Sequence, residues 1–382
     1  MEIVQEQQLQ NTEDRKVHDS HRNTSVTQQA QPQPQHPRFR KYKWWFRVSL
    51  YTIFVLAGQS TATLLVRLYY NNGGNSKWMT AFVQSAGFPV LIPLYFYLPT
   101  QTQPNNNSPK TKPKIFTLVS LYLLIGLLVT GENIMHSYGL QYLPLSTYSL
   151  LCETQLGFNA LFSFFLNSQK FTAFIFNSIV LLTISASLLA VNAESESPIG
   201  LSRKKHVVGL FYTLGGSAAL SLQLSLIQLS FEKVIKRKTF SAVLDMQLYT
   251  SFIATCACVV GLFVSGEWKT MDNEIKEYKN GKVSYVMTLF WTAVTWQMSC
   301  IGLVGLIHEV SSLFSNVIGS LALSIVPILA FMFFHDKMNN GVKCIALLLA
   351  VWGFLSYVYQ NYLDDRDKRD GLEVPKSEVE VC

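Results

Sequence analysis

Between positions 44 and 359 the chain is a succession of apolar runs, each about 20 residues long, joined by short polar or basic stretches. At about 1.5 Å of rise per helical residue, each run is long enough to cross a hydrocarbon core of about 30 Å. About ten are expected, near 44–70, 78–98, 115–139, 145–166, 172–191, 206–230, 241–265, 283–307, 311–334 and 340–359. Hydrocarbon supplies no water to backbone amides, so a spanning segment must be a helix or part of a closed barrel. The runs lack the alternation a barrel needs, which leaves helices, with Pro89, Pro93 and Pro327 as expected kinks.

Only 14% of the 382 residues are charged and 49% are hydrophobic, whereas a soluble domain carries roughly a quarter charged. The expected fold class is therefore an all-α integral membrane protein. Residues 1–43, rich in Gln, His, Asn and Pro, hold too few apolar groups to form a core and are expected to be a disordered arm. His18, His21 and His36 in that arm match no metal-site spacing, and no metal is expected. The first apolar run begins too late and is too long for a cleaved signal, so it should itself direct insertion. The six cysteines include no CxxC pair and read as small buried hydrophobes.

The net charge of +7 does not point to nucleic acid, because Lys and Arg sit at the joints between runs and not along one face. Arg38, Arg40, Lys41, Lys43 and Arg47 flank the first run, Lys110, Lys112 and Lys114 the third, and Lys233, Lys236, Arg237 and Lys238 the seventh. If the runs alternate in direction, all three groups fall on one side, which assigns them and both termini to the cytoplasm. Arg203-Lys204-Lys205 dissents.

The end of the fourth run, Leu161-Phe162-Ser163-Phe164-Phe165-Leu166-Asn167-Ser168-Gln169-Lys170-Phe171, is echoed at the ninth by Ile328-Leu329-Ala330-Phe331-Met332-Phe333-Phe334-His335-Asp336-Lys337-Met338. The copies lie five runs apart, an odd number, so they would lie upside down to each other. Two inverted five-helix repeats, 44–191 and 206–360, are expected, with a connecting loop at 192–205 and a cytoplasmic tail at 361–382. Inverted repeats are typical of secondary transporters.

Several motifs, taken together, resemble the plant purine permease family of the drug/metabolite transporter superfamily. They include Gly58-Gln59-Ser60, Gly131-Glu132-Asn133, Tyr142-Leu143-Pro144-Leu145-Ser146-Thr147-Tyr148, Gln155-Leu156-Gly157-Phe158-Asn159, Phe290-Trp291-Thr292-Ala293-Val294-Thr295-Trp296-Gln297 and Val310-Ser311-Ser312. The resemblance covers nearly all of the chain after the arm. It implies ten helices, cytoplasmic termini and proton-coupled uptake of adenine-like purines, cytokinins and related heterocycles, including some alkaloids and vitamin B6 forms. Glu153 departs from the family, which more often has a small residue there.

An ionisable side chain inside a bilayer is costly unless it faces a cavity or a partner. Glu132 and Glu153, on antiparallel runs at similar expected depth, are the proton-coupling candidates, Glu132 foremost. A carboxyl deprived of water holds its proton more firmly, so it can load on one side of a membrane and release on the other. The competing role for either is a permanently protonated hydrogen-bond donor to a neighbouring helix. Purines offer flat faces and polar edges, which call for rings and amides. Asn133 and Gln297 are the leading amides and Trp291 and Trp296 the leading rings, joined by Gln155, Asn159, Gln59 and Tyr148. Packing between helices competes with ligand contact for each of them.

No catalytic residues are expected: the sequence has no nucleophile with a base, no metal cluster and no phosphate loop. Ten runs instead of seven argue against a receptor, and the scarcity of basic residues inside the runs argues against a nucleotide-sugar carrier. The expected partners are a small heterocyclic substrate, protons and the lipid bilayer, with no nucleic acid and no cofactor, at the plasma membrane. A carrier of an alkaloid or a vitamin B6 form is the alternative.

Overall fold

The computed structural model describes residues 37–93, 115–167, 203–236 and 240–334, with isolated helical positions between 176 and 184 and between 341 and 359. The arm, the fifth and tenth runs, much of both repeat motifs and the tail lie outside the described residues. Among the described residues the chain is helical, without strands. Five helices among the described residues are long and apolar enough to cross a membrane, with mean hydropathies of 1.4 to 2.0 over their most apolar stretches.

The elements run α1 (Pro37–Asn71), α2 (Lys77–Ala86), α3 (Ile115–Tyr142), α4 (Leu145–Cys152), α5 (Gln155–Asn167), α6 (Arg203–Ser230), α7 (Phe240–Ser265), α8 (Met271–Glu277), α9 (Gly281–Glu309) and α10 (Ser312–Phe334). Three details depart from the expected runs. The fourth run is not one helix: it breaks at Glu153 and Thr154, between α4 and α5. At the break, the N–H groups of Glu153, Thr154 and Leu156 turn to carbonyls three residues back. Just past the break, the carbonyl of Gln155 in the first turn of α5 also accepts the Ser221 hydroxyl of α6, at 2.7 Å, and the Asn316 amide of α10, at 3.0 Å. Neighbouring side chains thus supply what the bilayer cannot. Second, α2 gives way to a 3₁₀ turn, Phe88–Val90, with Pro89 in its first turn. Third, the expected loop after α7 contains a 3₁₀ turn, Glu267–Thr270, and α8. Pro327 does not end α10, which continues to Phe334.

From Phe46 onward the described helices pack into one unit. α3 lies along α6 and α7, α2 against α7 and α9, and α10 against α4, α5 and α9. Polarity runs opposite to that of a soluble protein. Phe116, Phe165, Phe211 and Val264 are largely exposed, while Ser217, Ser221, Ser225, Asn159 and Asn316 are almost fully buried. Leu224, Ile227, Val243, Met246 and Val304 form an apolar cluster between α6, α7 and α9.

Two clamps join α1 to the second half of the chain. At its far end the phenol of Tyr69 donates to buried Glu274 of α8, which also accepts from Tyr285 of α9 at 3.2 Å. Nearby, Glu267 accepts the Ser76 hydroxyl at 2.6 Å and the Trp78 amide at 3.1 Å. At its near end Arg47 meets Glu309 of α9 through two nitrogens, at 2.9 and 3.1 Å, with the guanidinium about half exposed.

α1 and α9 approach closely because Gly58 and Gly302 face each other's helix. A Cβ at Gly58 would lie 2.7 Å from the Thr295 carbonyl, and one at Gly302 2.7 Å from that of Tyr51. Gly58→Ala and Gly302→Ala should each lower the thermal midpoint of the purified, detergent-solubilised protein, at a cost of about 1–3 kcal/mol. Gly131→Ala, whose added methyl meets nothing within 4 Å, should not.

Candidate functional site

The buried polar residues converge because helical spacing puts them on single faces. On α3, Val129, Glu132, Asn133 and His136 fall at i, i+3, i+4 and i+7, and on α6 Leu220, Gln223, Leu224 and Ile227 repeat the same spacing. Both stripes face a central cavity. α1 adds Gln59 and Thr63, α2 adds Gln84 and Ser85, α4 adds Tyr148 and Cys152, and Gln155 opens α5. From the other side come Gln247, Thr250 and Ser251 of α7, Trp296, Ser299 and Cys300 of α9, and Leu323 of α10. The enclosed space, including the part open to solvent, is about 870 Å³. Among the described residues no Lys or Arg belongs to this wall, and Glu132 is its one carboxylate.

Some wall groups are fixed by one another. The Asn133 amide donates to Ser85 at 3.0 Å, Gln247 to Ser251 at 2.9 Å, and Gln155 to Ser320 at 3.2 Å. The Tyr148 hydroxyl is 2.8 Å from His136 Nδ1, and His136 Nε2 is 3.8 Å from a Glu132 oxygen. Other groups are left over. The carbonyl oxygens of Gln59, Gln155 and Gln223, and both polar atoms of the Gln84 amide, are buried without a hydrogen-bond partner. A buried amide atom left unpaired costs about 1–3 kcal/mol, so such a cluster is a characteristic of a site that binds something.

The expected site residues divide. Asn133, Gln155, Gln59, Tyr148, Trp296 and Glu132 line the cavity together. Trp291 does not: it is 52% exposed and points away from the bundle, because it lies five residues before Trp296 on α9, a rotation of about 140°. Gln297, one residue past Trp296, is buried beside Gly87 at the α2–α9 contact and is not part of the cavity wall. Asn159 is committed to helix packing: its amide donates to the Ser312 carbonyl at 3.1 Å and its oxygen accepts from Ser225 at 2.8 Å. Glu153, also off the wall, accepts the Ser324 hydroxyl of α10 at 2.8 Å.

His136 was not among the expected site residues. Its signal was present, one helical turn past Glu132, but a lone histidine in an apolar run carries no spacing that names its partner. Tyr148 and Gly216 supply its surroundings from α4 and α6, which no local pattern reveals.

Asn159→Ala removes the shared acceptor of Ser225 and Ser163 and the donor to Ser312. The expected result is a loss of about 1–2 kcal/mol, read as a lower thermal midpoint in detergent.

Residues 46–367 match a family described as purine nucleobase transmembrane transport. The chain is 52% identical over 336 residues to probable purine permease 11 of Arabidopsis thaliana, covering 88% of each protein. It is 53% identical to probable purine permease 10 of the same plant, over 88% of this chain and 86% of that one. With Arabidopsis purine permease 21 it shares 52% identity, over 88% and 86% respectively.

Proposed function

Because this chain belongs to the purine permease family of nucleobase transporters, we propose that it is a proton-coupled secondary carrier that takes up adenine-like purines or cytokinins by alternating access. The carrying observation is the cavity wall, which among the described residues holds unpartnered glutamine atoms, one carboxylate and no Lys or Arg. Such a wall suits a neutral heterocycle whose edge carries both donors and acceptors. An anionic ligand such as a nucleotide sugar would lack a counter-charge there.

In this reading Gln59, Gln84, Gln155 and Asn133 meet the heterocycle edge, Trp296 and Tyr148 pack against its faces, and Glu132 carries the proton. Gln297, Trp291 and Asn159 act through helix packing or lipid contact, and Glu153 as a hydrogen-bond partner of α10. Ten helices in two inverted five-helix repeats, with both termini cytoplasmic, fit the motif echo and the basic joints of the sequence, at the plasma membrane. Exchange of the two repeats' conformations would open the cavity to either side in turn.

The test is uptake of labelled adenine into cells expressing the chain, against a competition panel of purines, cytokinins, alkaloids and vitamin B6 forms, at two external pH values, with and without an uncoupler. Uptake should be faster at the lower pH, collapse with the uncoupler and be blocked by purines. Glu132→Gln should abolish the pH effect, and pH-driven uptake that survives in it would refute the proton role. Trp296→Leu should raise the KM about 5- to 10-fold, with Trp291→Leu near wild type.

A further inference from the structure

The cavity wall holds an imidazole that recognition of a neutral heterocycle does not by itself require. His136 lies one turn from Glu132 on α3, with its Nε2 3.8 Å from Oε1 of the carboxylate, both side chains almost fully buried. Its Nδ1 is 2.8 Å from the Tyr148 hydroxyl of α4. The ring is held in place by α6, where a Cβ on Gly216 would come within 2.9 Å of Nε2. Three groups from two helices thus form a chain, and all three border the space a ligand would fill.

We propose that Glu132 and His136 hold the coupled proton as a pair, with the Tyr148 hydroxyl partnering the second ring nitrogen of His136. The inference rests on the proton-coupled reading above and adds a second member to its proton site. When Nδ1–H donates to the Tyr148 oxygen, Nε2 presents its lone pair toward Glu132. The carboxyl O–H then breaks and an Nε2–H forms, leaving a carboxylate beside an imidazolium with the net charge unchanged. A separation of 3.8 Å is within ion-pair reach and one small side-chain adjustment from a hydrogen bond. Neutrality before and after transfer matters here, since an isolated charge in a dry cavity is far costlier than a paired one.

The transfer also changes what a ligand meets. A protonated Glu132 offers the cavity a donor, and an ionised one offers only acceptors. His136 therefore switches the polarity of the Glu132 carboxyl without moving a helix, and the two states bind a heterocycle edge differently. The other titratable groups around the pair are the thiols of Cys152 on α4 and Cys300 on α9 and the phenols of Tyr148 and Tyr70, with Glu153 just beyond α4. α6 and α7 face the cavity with Gln223, Gln247, Thr250 and Ser251, none of which titrates.

The experiment measures equilibrium binding of labelled adenine to the purified full chain, and its uptake in proteoliposomes, across pH. It compares wild type, Glu132→Gln, His136→Asn and the double variant. If the two residues act as one unit, each single variant reduces the pH dependence at least about fivefold, and the double variant does no more than either. Gly216→Ala, which presses a methyl on the imidazole, gives a second route should His136→Asn not fold. A His136→Asn or Gly216→Ala protein that binds more weakly at every pH but keeps the wild-type profile overturns the proposal, as do effects that add in the double variant. Wild-type uptake that ignores the uncoupler, together with a binding profile still flattened by His136→Asn, would sink the proton-coupled reading and leave the pair standing.

Discussion

Hydrocarbon neither donates nor accepts hydrogen bonds, so every polar atom of a spanning segment must find its partner within the protein. That constraint sorts the side chains of this fold. Phe116, Phe165 and Phe211 face outward, while serines and amides line the contacts between helices. It also bears on how α4 and α5 part in mid-span, where Ser221 and Asn316 tie the first turn of α5 to α6 and α10 through the Gln155 carbonyl. Of the groups that leave it unmet, those on Gln59, Gln84, Gln155 and Gln223 line the cavity, while the Gln297 amide and the Ser149 hydroxyl lie off its wall.

Much of this was legible in the sequence. Run length placed most of the described helices to within a few residues, because spanning a bilayer fixes a minimum that few alternatives meet. The α4–α5 break was not legible, since its stability comes from α6 and α10 and not from a local Gly or Pro. Nor was α8, a short polar helix that no bilayer arithmetic calls for and that Tyr69, far off in sequence, holds in place through Glu274.

Within the site, residue type was a better guide than rotation around the helix axis. Glu132, Asn133, Gln155 and Trp296 reached the cavity, while Gln297, Trp291, Asn159 and Glu153, chosen on the same grounds, did not. A step of one residue turns a helix by about 100°, so Trp296 and Gln297 meet different surroundings although they are neighbours. The faces of α9 could be assigned only once α2 was seen packed against one of them. His136 illustrates the converse: its spacing from Glu132 was readable, but its meaning depended on Tyr148 from another helix.

The two clamps on α1 differ in kind. The one at Glu274 is buried among tyrosine rings, while at the other the Arg47 side chain is about half exposed and that of Glu309 13% exposed. Dissolved ions reach the second and screen it, and they barely touch the first. Ionic strength is therefore a lever that acts on one end of α1 alone, and a bathing solution of high salt favours parting of the helices where α1 begins over parting where it ends.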